Sequence, residues 1–307
     1  RYLPEFADPR VYVGGSDLKP MTVPATEPIR VWHLLTHTSG LTYGFHHAHP
    51  VDALYRRAGF EWGIPKKLDL AGACERWARF PLLFQPGAEW AYSVATDVLG
   101  RLIEVCSGQS LDDYLAEHIC APLGMTDTGF FSTDPRLGAL YTPTPGGDGL
   151  AQRSEALSAG VRRRPTALSG GGGLISSAAD YHRFTQLLLR RGELDGVRLL
   201  GSRTVDYMVR NQLPGNADLE AFGRPLFAEH PLRGSGFGFG FAVTLDAAAG
   251  KNLASEGEFS WGGAASTAFL VDPSERITAL FFTQLLPSDT HPIRSQLRTL
   301  LYQALVD

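Results

Sequence analysis

Tyr92, in the run Ala91-Tyr92-Ser93-Val94-Ala95-Thr96-Asp97, and Trp261-Gly262-Gly263 are the two most informative stretches of the chain. A phenol titrates at about 10, so it is a weak base near neutral pH unless a cation beside it favours the phenolate. A serine hydroxyl becomes a nucleophile only when a base takes its proton. The spelling that joins a serine to such a cation, Ser-x-x-Lys, occurs at Ser16-Asp17-Leu18-Lys19. Gly14-Gly15 precede it, and Pro20, Pro24 and Pro28 follow. Proline inside a helix costs about 3 kcal/mol, so no long buried helix starts at Ser16. Taken alone, Tyr92 reads as a core tyrosine with a satisfied hydroxyl. Trp261-Gly262-Gly263 reads as a tight turn between strands.

Other spellings carry less. His33 and His37 are spaced as in zinc helices, but no glutamate lies between them as a base. His46-His47-Ala48-His49 lies between Gly44 and Pro50, which suits a polar loop. Gly170 to Gly173 is not followed by Gly-Lys-Ser/Thr and is no phosphate loop. Arg162-Arg163-Arg164 suits a solvated loop. Cys74, Cys106 and Cys120 are odd in number and lack metal-ligand spacing, so free, buried thiols are expected. No metal or organic cofactor is expected. Net charge is −4, which gives no electrostatic case for nucleic acid or an anionic membrane. No apolar run reaches the roughly 18 residues of a membrane span. The cytoplasm is the favoured compartment.

The elements that must position these residues follow from periodicity. Val31, Leu34 and Leu35 are at helical spacing, and Val98, Leu102 and Val105 share a helical face ending at Gly108. Ser110-Leu111-Asp112-Asp113 opens another helix, and Ser177 with Asp180 opens one striped by Tyr181, Phe184, Leu187 and Leu188. Residues 132 to 169, rich in Pro, Gly, Arg and Ser, predict a long excursion over the surface. Phe237, Phe239, Phe241, Val243 and Leu245 alternate as in one strand. Ala268 to Val271 and Ile277 to Phe282 flank a turn and predict a hairpin. Ile293, Leu297, Leu300, Leu301 and Leu305 predict a final helix. Helices first and strands later give an α+β fold, a helical region beside a helix-flanked antiparallel sheet. The expected division is 1–24 as a surface segment, 25–165 mainly helical, and 166–307 the sheet region.

Several stretches in one order resemble a known family. They are His33-Leu34-Leu35-Thr36-His37-Thr38-Ser39-Gly40-Leu41, Gln85-Pro86-Gly87 leading to Tyr92-Ser93, Asp97-Val98-Leu99-Gly100, Pro122-Leu123-Gly124-Met125, Gly170 to Leu174 and Trp261-Gly262-Gly263. Together they resemble the class C β-lactamase and penicillin-binding-protein-like serine hydrolases, and most closely the carboxylesterases that share that β-lactamase/transpeptidase-like fold. The resemblance implies acyl transfer through a serine acyl-enzyme. It places Tyr92 as the base that acts with a lysine. Trp261, Gly262 and Gly263 take the position of the third motif, expected on a sheet edge. The Ala264 N–H is implied as an oxyanion-hole donor. Val94, Gly171 and Gly172 are implied to line the substrate pocket.

Two departures bear on substrate. Val94 stands where the family's tyrosine motif often ends in asparagine, and Trp261 where its third motif often begins with lysine. Without those polar anchors the expected partner is a small, uncharged, apolar ester. The alternatives left open are a β-lactamase, a D-amino-acid peptidase, an acyltransferase, or a fragment that only binds. No methionine precedes Met21, and Arg1-Tyr2-Leu3-Pro4-Glu5-Phe6 resembles the exit from the family's catalytic helix. The expectation is therefore that the serine–lysine helix belongs to an N-terminal segment of the same protein lying before Arg1.

Overall fold

Proline and glycine break the first hundred residues into short elements. A computed structural model describes residues 1–306 apart from 145, 147, 148, 225–231 and 289. The surface segment expected at 1–24 is a hairpin of β1 (Arg10–Gly15) and β2 (Pro20–Pro24). Ser16 to Lys19 form its turn, where the Lys19 N–H donates to the Ser16 carbonyl at 3.1 Å. Ser16 opens no helix, as the prolines require.

Helices α1 (Val31–Leu35), α2 (Pro50–Arg57), α3 (Leu70–Trp77) and α4 (Ala95–Ser107) follow. Histidine caps α2: His49 Nδ1 accepts the Val51 N–H, and Asp52 Oδ2 accepts the His49 N–H at 2.9 Å. Asp69 caps α3 by accepting the Gly72 N–H. Gly108, in the left-handed region at φ +74°, ends α4. Val51, Tyr55, Trp77, Leu83, Val94 and Val98 belong to one buried cluster. The face expected on α4 holds for half its length only. Val98 is buried, while Val105 is exposed, as is Cys106 one residue on, so not all three thiols are buried.

The chain divides into two compact units, and not at the expected linear boundaries. The first holds residues up to Tyr114, Thr166–Gly173 and a stretch beginning at Leu219. The last of these is tied in by the Trp90 N–H, which donates to the Phe222 carbonyl, and by Arg224, which pairs with Glu89 at 2.8 Å. Leu115–Pro165, Leu174–Asp218 and the C-terminal part make the second unit.

In the second unit, the predicted excursion carries structure of its own. Strands β3 (Tyr141–Pro143) and β4 (Ala151–Arg153) pair, and α5 (Glu155–Gly160) follows. Positions 145, 147 and 148 of that stretch lie outside the described residues. Ser177 caps α6 (Ala178–Leu189) by accepting the Asp180 N–H. The sheet contains β5 (Ser235–Phe237), β6 (Ala242–Thr244), β7 (Phe259–Gly262), β8 (Ala268–Asp272) and β9 (Ile277–Phe281). Its order is β9-β8-β7-β6-β5, antiparallel throughout. The single strand expected over 237–245 is thus two. Gly240 at φ +86° turns the chain, and a Cβ at Gly238 would stand 2.3 Å from the Met208 carbonyl oxygen.

Phe259, Phe269 and Val271 cluster with Tyr181, Phe184 and Leu188 of α6. Against Glu258 and Ser260 lies α7 (Ile293–Gln303), whose Arg298 donates to both side chains at 2.6 and 3.0 Å. Leu300 is exposed and Leu305 lies beyond the end of α7, so the inward face of α7 is carried by Arg298 and Tyr302 rather than by the whole leucine set. Among the described residues, no helix is long and apolar enough to cross a membrane.

Candidate active site

In the first unit, backbone bonds fix the approach to Tyr92 before any side chain is considered. Gly87, at φ +86°, makes the turn, and its N–H donates to the Thr38 carbonyl at 2.7 Å. The Ala91 N–H donates to the His37 carbonyl, and His46 Nε2–H donates to the Tyr92 carbonyl at 2.7 Å. A carbonyl can only accept, so this bond sets the His46 tautomer and leaves Nδ1 as an acceptor. Tyr92 therefore sits just before α4, with its main chain held from both sides.

Two rings flank it. His37 and Tyr43 each lie with ring centroids 5.1 Å from Tyr92. His37 is buried in the left-handed region, at φ +55°, with Nδ1 3.2 Å from Ser93 Oγ. Burial, and then His46, hold its pKa down at about 3, so it is a neutral imidazole at physiological pH. Tyr43 is hydrogen-bonded to Tyr92, and its pKa is pushed well above the ordinary tyrosine value by burial, then by Tyr92 and Asp97. It keeps its proton at neutral pH and can donate to the Tyr92 oxygen.

Asp97, in the first turn of α4, closes the cluster. Ser169 Oγ donates to its Oδ1 at 2.5 Å and the Gly171 N–H at 3.3 Å. Burial raises the Asp97 pKa against both of these bonds. The glycine-rich stretch is shaped by this contact. A Cβ at Gly171 would stand 2.9 Å from both the Tyr43 hydroxyl and Asp97 Oδ2. One at Gly170 would stand 2.5 Å from the Thr96 carbonyl oxygen, and one at Gly172 would meet nothing within 4 Å. Gly170→Ala should therefore lose about 1–3 kcal/mol through overpacking against backbone. Gly172→Ala should be neutral or gain up to about 1 kcal/mol by restricting the unfolded chain. Urea midpoints of the two variants check this contrast; equal midpoints would refute it.

Val94 is 4 % exposed and packed in the first unit's apolar core, so its side chain is a core residue and not an open pocket wall. Sequence reasoning missed Tyr43, His46 and Ser169. The one local signal was the glycine-broken turn Tyr43-Gly44-Phe45-His46, because binding and catalytic residues are disproportionately on loops. Among the described residues, no three His, Cys, Asp or Glu side chains gather as a metal site.

In the second unit, Trp261 and Gly262 end β7, which is the central strand and not the expected sheet edge. Pairing with β6 reaches only Ser260, whereas pairing with β8 continues through Trp261 and Gly262. The strand's end is thus paired on one side in these registers. The Trp261 ring meets Phe237 edge-on at 5.5 Å. Gly263, Ala264 and the residues to Thr267 form the turn into β8, with Ala264 exposed. The motif is at once a strand end and a turn. Its bare glycines are filled by the chain itself. A Cβ at Gly262 would stand 2.4 Å from the Arg294 guanidinium, and one at Gly263 2.4 Å from Thr267 Oγ1. Arg294 donates to the Gly263 and Thr267 carbonyls at 2.7 and 2.9 Å, bracing the turn.

Tyr92, Val94, Gly171 and Gly172 thus belong to the first unit, and Trp261, Gly262, Gly263 and Ala264 to the second. Comparison with known proteins adds the family. The chain is 32% identical over 304 residues to Esterase EstB of Burkholderia gladioli, covering 92% of this chain and 69% of that protein. It is 33% identical over 286 residues to Monacolin J acid methylbutanoyltransferase of Aspergillus terreus, covering 88% and 65%. The solved structure of EstCE1, described as a hydrolase with promiscuous acyltransferase activity, matches with a TM-score of 0.78 at 28% identity, over 98% of this chain and 76% of that one. A family model described as Beta-lactamase matches residues 1–303, and the chain belongs to that family, with the β-lactamase/penicillin-binding-protein-like fold.

Proposed function

We propose that the protein is a serine carboxylesterase that hydrolyses small, apolar esters through an acyl-enzyme. The observation that carries this reading is Tyr92 held beside Tyr43, a phenol that keeps its proton and can donate to the Tyr92 oxygen. Such a donor favours the anionic form of Tyr92, the form able to take a proton from serine. The serine oxygen then bonds the ester carbonyl carbon, the alcohol leaves with a proton, and water releases the acid. Backbone N–H groups, that of Ala264 among them, are proposed to steady the oxyanion. In this reading the serine–lysine pair is not Ser16 with Lys19, because those residues lie in a hairpin turn and do not open a helix. We assign it to a segment of the same protein outside residues 1–307. Reading the gene upstream of Arg1 tests that assignment; a frame with no Ser-x-x-Lys in an apolar helix overturns it.

The substrate class rests on Trp261, which stands where the family's third motif often begins with lysine. In the full-length protein, kcat/KM for 4-nitrophenyl butanoate should exceed that for nitrocefin and for D-alanine 4-nitroanilide by about tenfold or more. Faster turnover of nitrocefin would instead favour the β-lactamase alternative. The likeness to a methylbutanoyltransferase favours a second reading, in which an alcohol takes the acyl group in place of water. Ester exchange on adding 1-butanol to the same assay separates the two.

A further inference from the structure

Four aromatic rings of the first unit form a continuous stair that ends at Tyr92. Trp62 is 77% exposed, and its indole lies parallel to Phe45, with centroids 5.8 Å apart at 12°. Phe45 stacks on Tyr43 at 4.7 Å and 21°, and Tyr43 meets Tyr92 at 5.1 Å and 58°. Parallel pairs at these distances are among the favoured aromatic geometries, worth about 0.5–1.5 kcal/mol beyond area burial. The stair is also braced. Arg56 donates to the Gly44 carbonyl at 2.7 Å, and His47 pairs with Glu61 at 3.1 Å. A Cβ at Gly44 would stand 2.4 Å from the Phe60 carbonyl oxygen, so only glycine lets the turn bearing Phe45 lie this close to the loop bearing Trp62. These restraints bring the turn bearing Phe45 against the loop bearing Trp62, where the indole stacks on Phe45 while most of it stays in water, an arrangement that core packing does not demand.

We propose that Trp62, Phe45 and Tyr43 are a specificity wall for the flat aryl group of an ester whose carbonyl is presented at Tyr92. The proposal rests on the carboxylesterase reading. A planar ring can lie along the exposed indole and extend the same stack, whereas a short alkyl group gains little from it. The wall is continuous with the proposed base, so an aryl group on it lies on the approach to the reacting carbonyl. Trp62 and Phe45 act on binding and take no part in proton transfer.

The test uses the full-length protein as wild type, Trp62→Ala and Trp62→Phe, with 2-naphthyl propyl ether as a non-hydrolysable probe. By calorimetry, Kd for the ether should rise about five- to tenfold in Trp62→Ala and return to within about twofold of wild type in Trp62→Phe. The melting temperature should not move, because the side chain is exposed. In turnover, Trp62→Ala should lower kcat/KM for 2-naphthyl butanoate by the same factor and leave ethyl butanoate unchanged. Absence of ether binding to wild type, equal Kd in wild type and Trp62→Ala, or an equal loss for both esters overturns the wall. Failure of the underlying reading looks different. Normal turnover of both esters by Tyr92→Phe would overturn the esterase mechanism, while the ether affinities would still decide the wall.

Discussion

Tyr92→Phe in the full-length protein is expected to lower kcat for ester hydrolysis by about 10²–10⁴-fold, with a small change in KM. The substitution keeps the ring between His37 and Tyr43 and removes only the oxygen that Tyr43 meets. The loss should therefore fall on the step in which a proton leaves serine. Stability should change by about 1 kcal/mol or less, the typical net worth of one hydrogen bond. A structural tyrosine would show the reverse, a lower melting temperature with near-normal turnover. Retention of more than half of kcat would end the case for Tyr92 as base. Tyr43→Phe is the companion variant. It removes the donor and leaves the base, so its loss in kcat should be smaller than that of Tyr92→Phe.

The second large effect is on stability in acid. His37 is fully enclosed, and its pKa falls from 6.5 to about 3. A depressed histidine contributes stability that is present above the unfolded value and is lost as pH falls through the folded one. At about 1.36 kcal/mol per unit, the whole window from pH 6.5 to 3 is worth roughly 5 kcal/mol, and the part down to pH 5 about 2 kcal/mol. His33 and His46, also depressed by burial, act in the same direction. Asp97 and Glu258 act oppositely, because burial raises them and their contribution is lost as pH rises. The difference between wild type and His37→Asn isolates the term, and asparagine tolerates the left-handed backbone found there. Urea unfolding at pH 7.5, 6.5 and 5 should show the gap between the two chains narrowing by about 2 kcal/mol at the lowest pH. Parallel losses in both chains would assign the acid sensitivity elsewhere.

How much of this was legible in the sequence depended on the range of the interactions. The approach to Tyr92 was legible because Gln85-Pro86-Gly87 and the start of α4 are local turn and helix chemistry. The hairpin of β8 and β9 was legible because turn and strands are contiguous. Tyr43 was not, since its partners lie at Tyr92 and Asp97, far along the chain, and nothing near Tyr43 marks them. The position of Trp261 on a central strand was not legible either. Alternation identifies a strand, but its neighbours are chosen by distant segments on each side. The run of alternating phenylalanines misled because Gly238 and Gly240 break the strand without disturbing the period-two pattern. Leu300 and Val105 misled because apolar spacing names a face without saying how far the core extends beneath it. Gly262 shows a further limit. A glycine in a site motif suggests room for a substrate, yet here the room is taken by the guanidinium of Arg294, a residue of the last helix.

The way the chain is divided bears on how the protein is made. The first unit is completed by Thr166–Gly173 and by the stretch beginning at Leu219, each synthesised after intervening residues that belong to the other unit. A ribosome adding about 5–20 residues per second needs on the order of 5–20 s to travel from Tyr114 to Leu219. Through that interval Asp97 lacks the hydroxyl of Ser169 for part of the time, and the Trp90 N–H lacks the Phe222 carbonyl throughout. The nascent chain must therefore carry an unfinished core past the exit tunnel while it begins a second one. Its yield in a cell should depend on elongation rate and on chaperones that shelter exposed apolar surface. Expression trials that slow translation between residues 115 and 219 are the direct way to see this dependence.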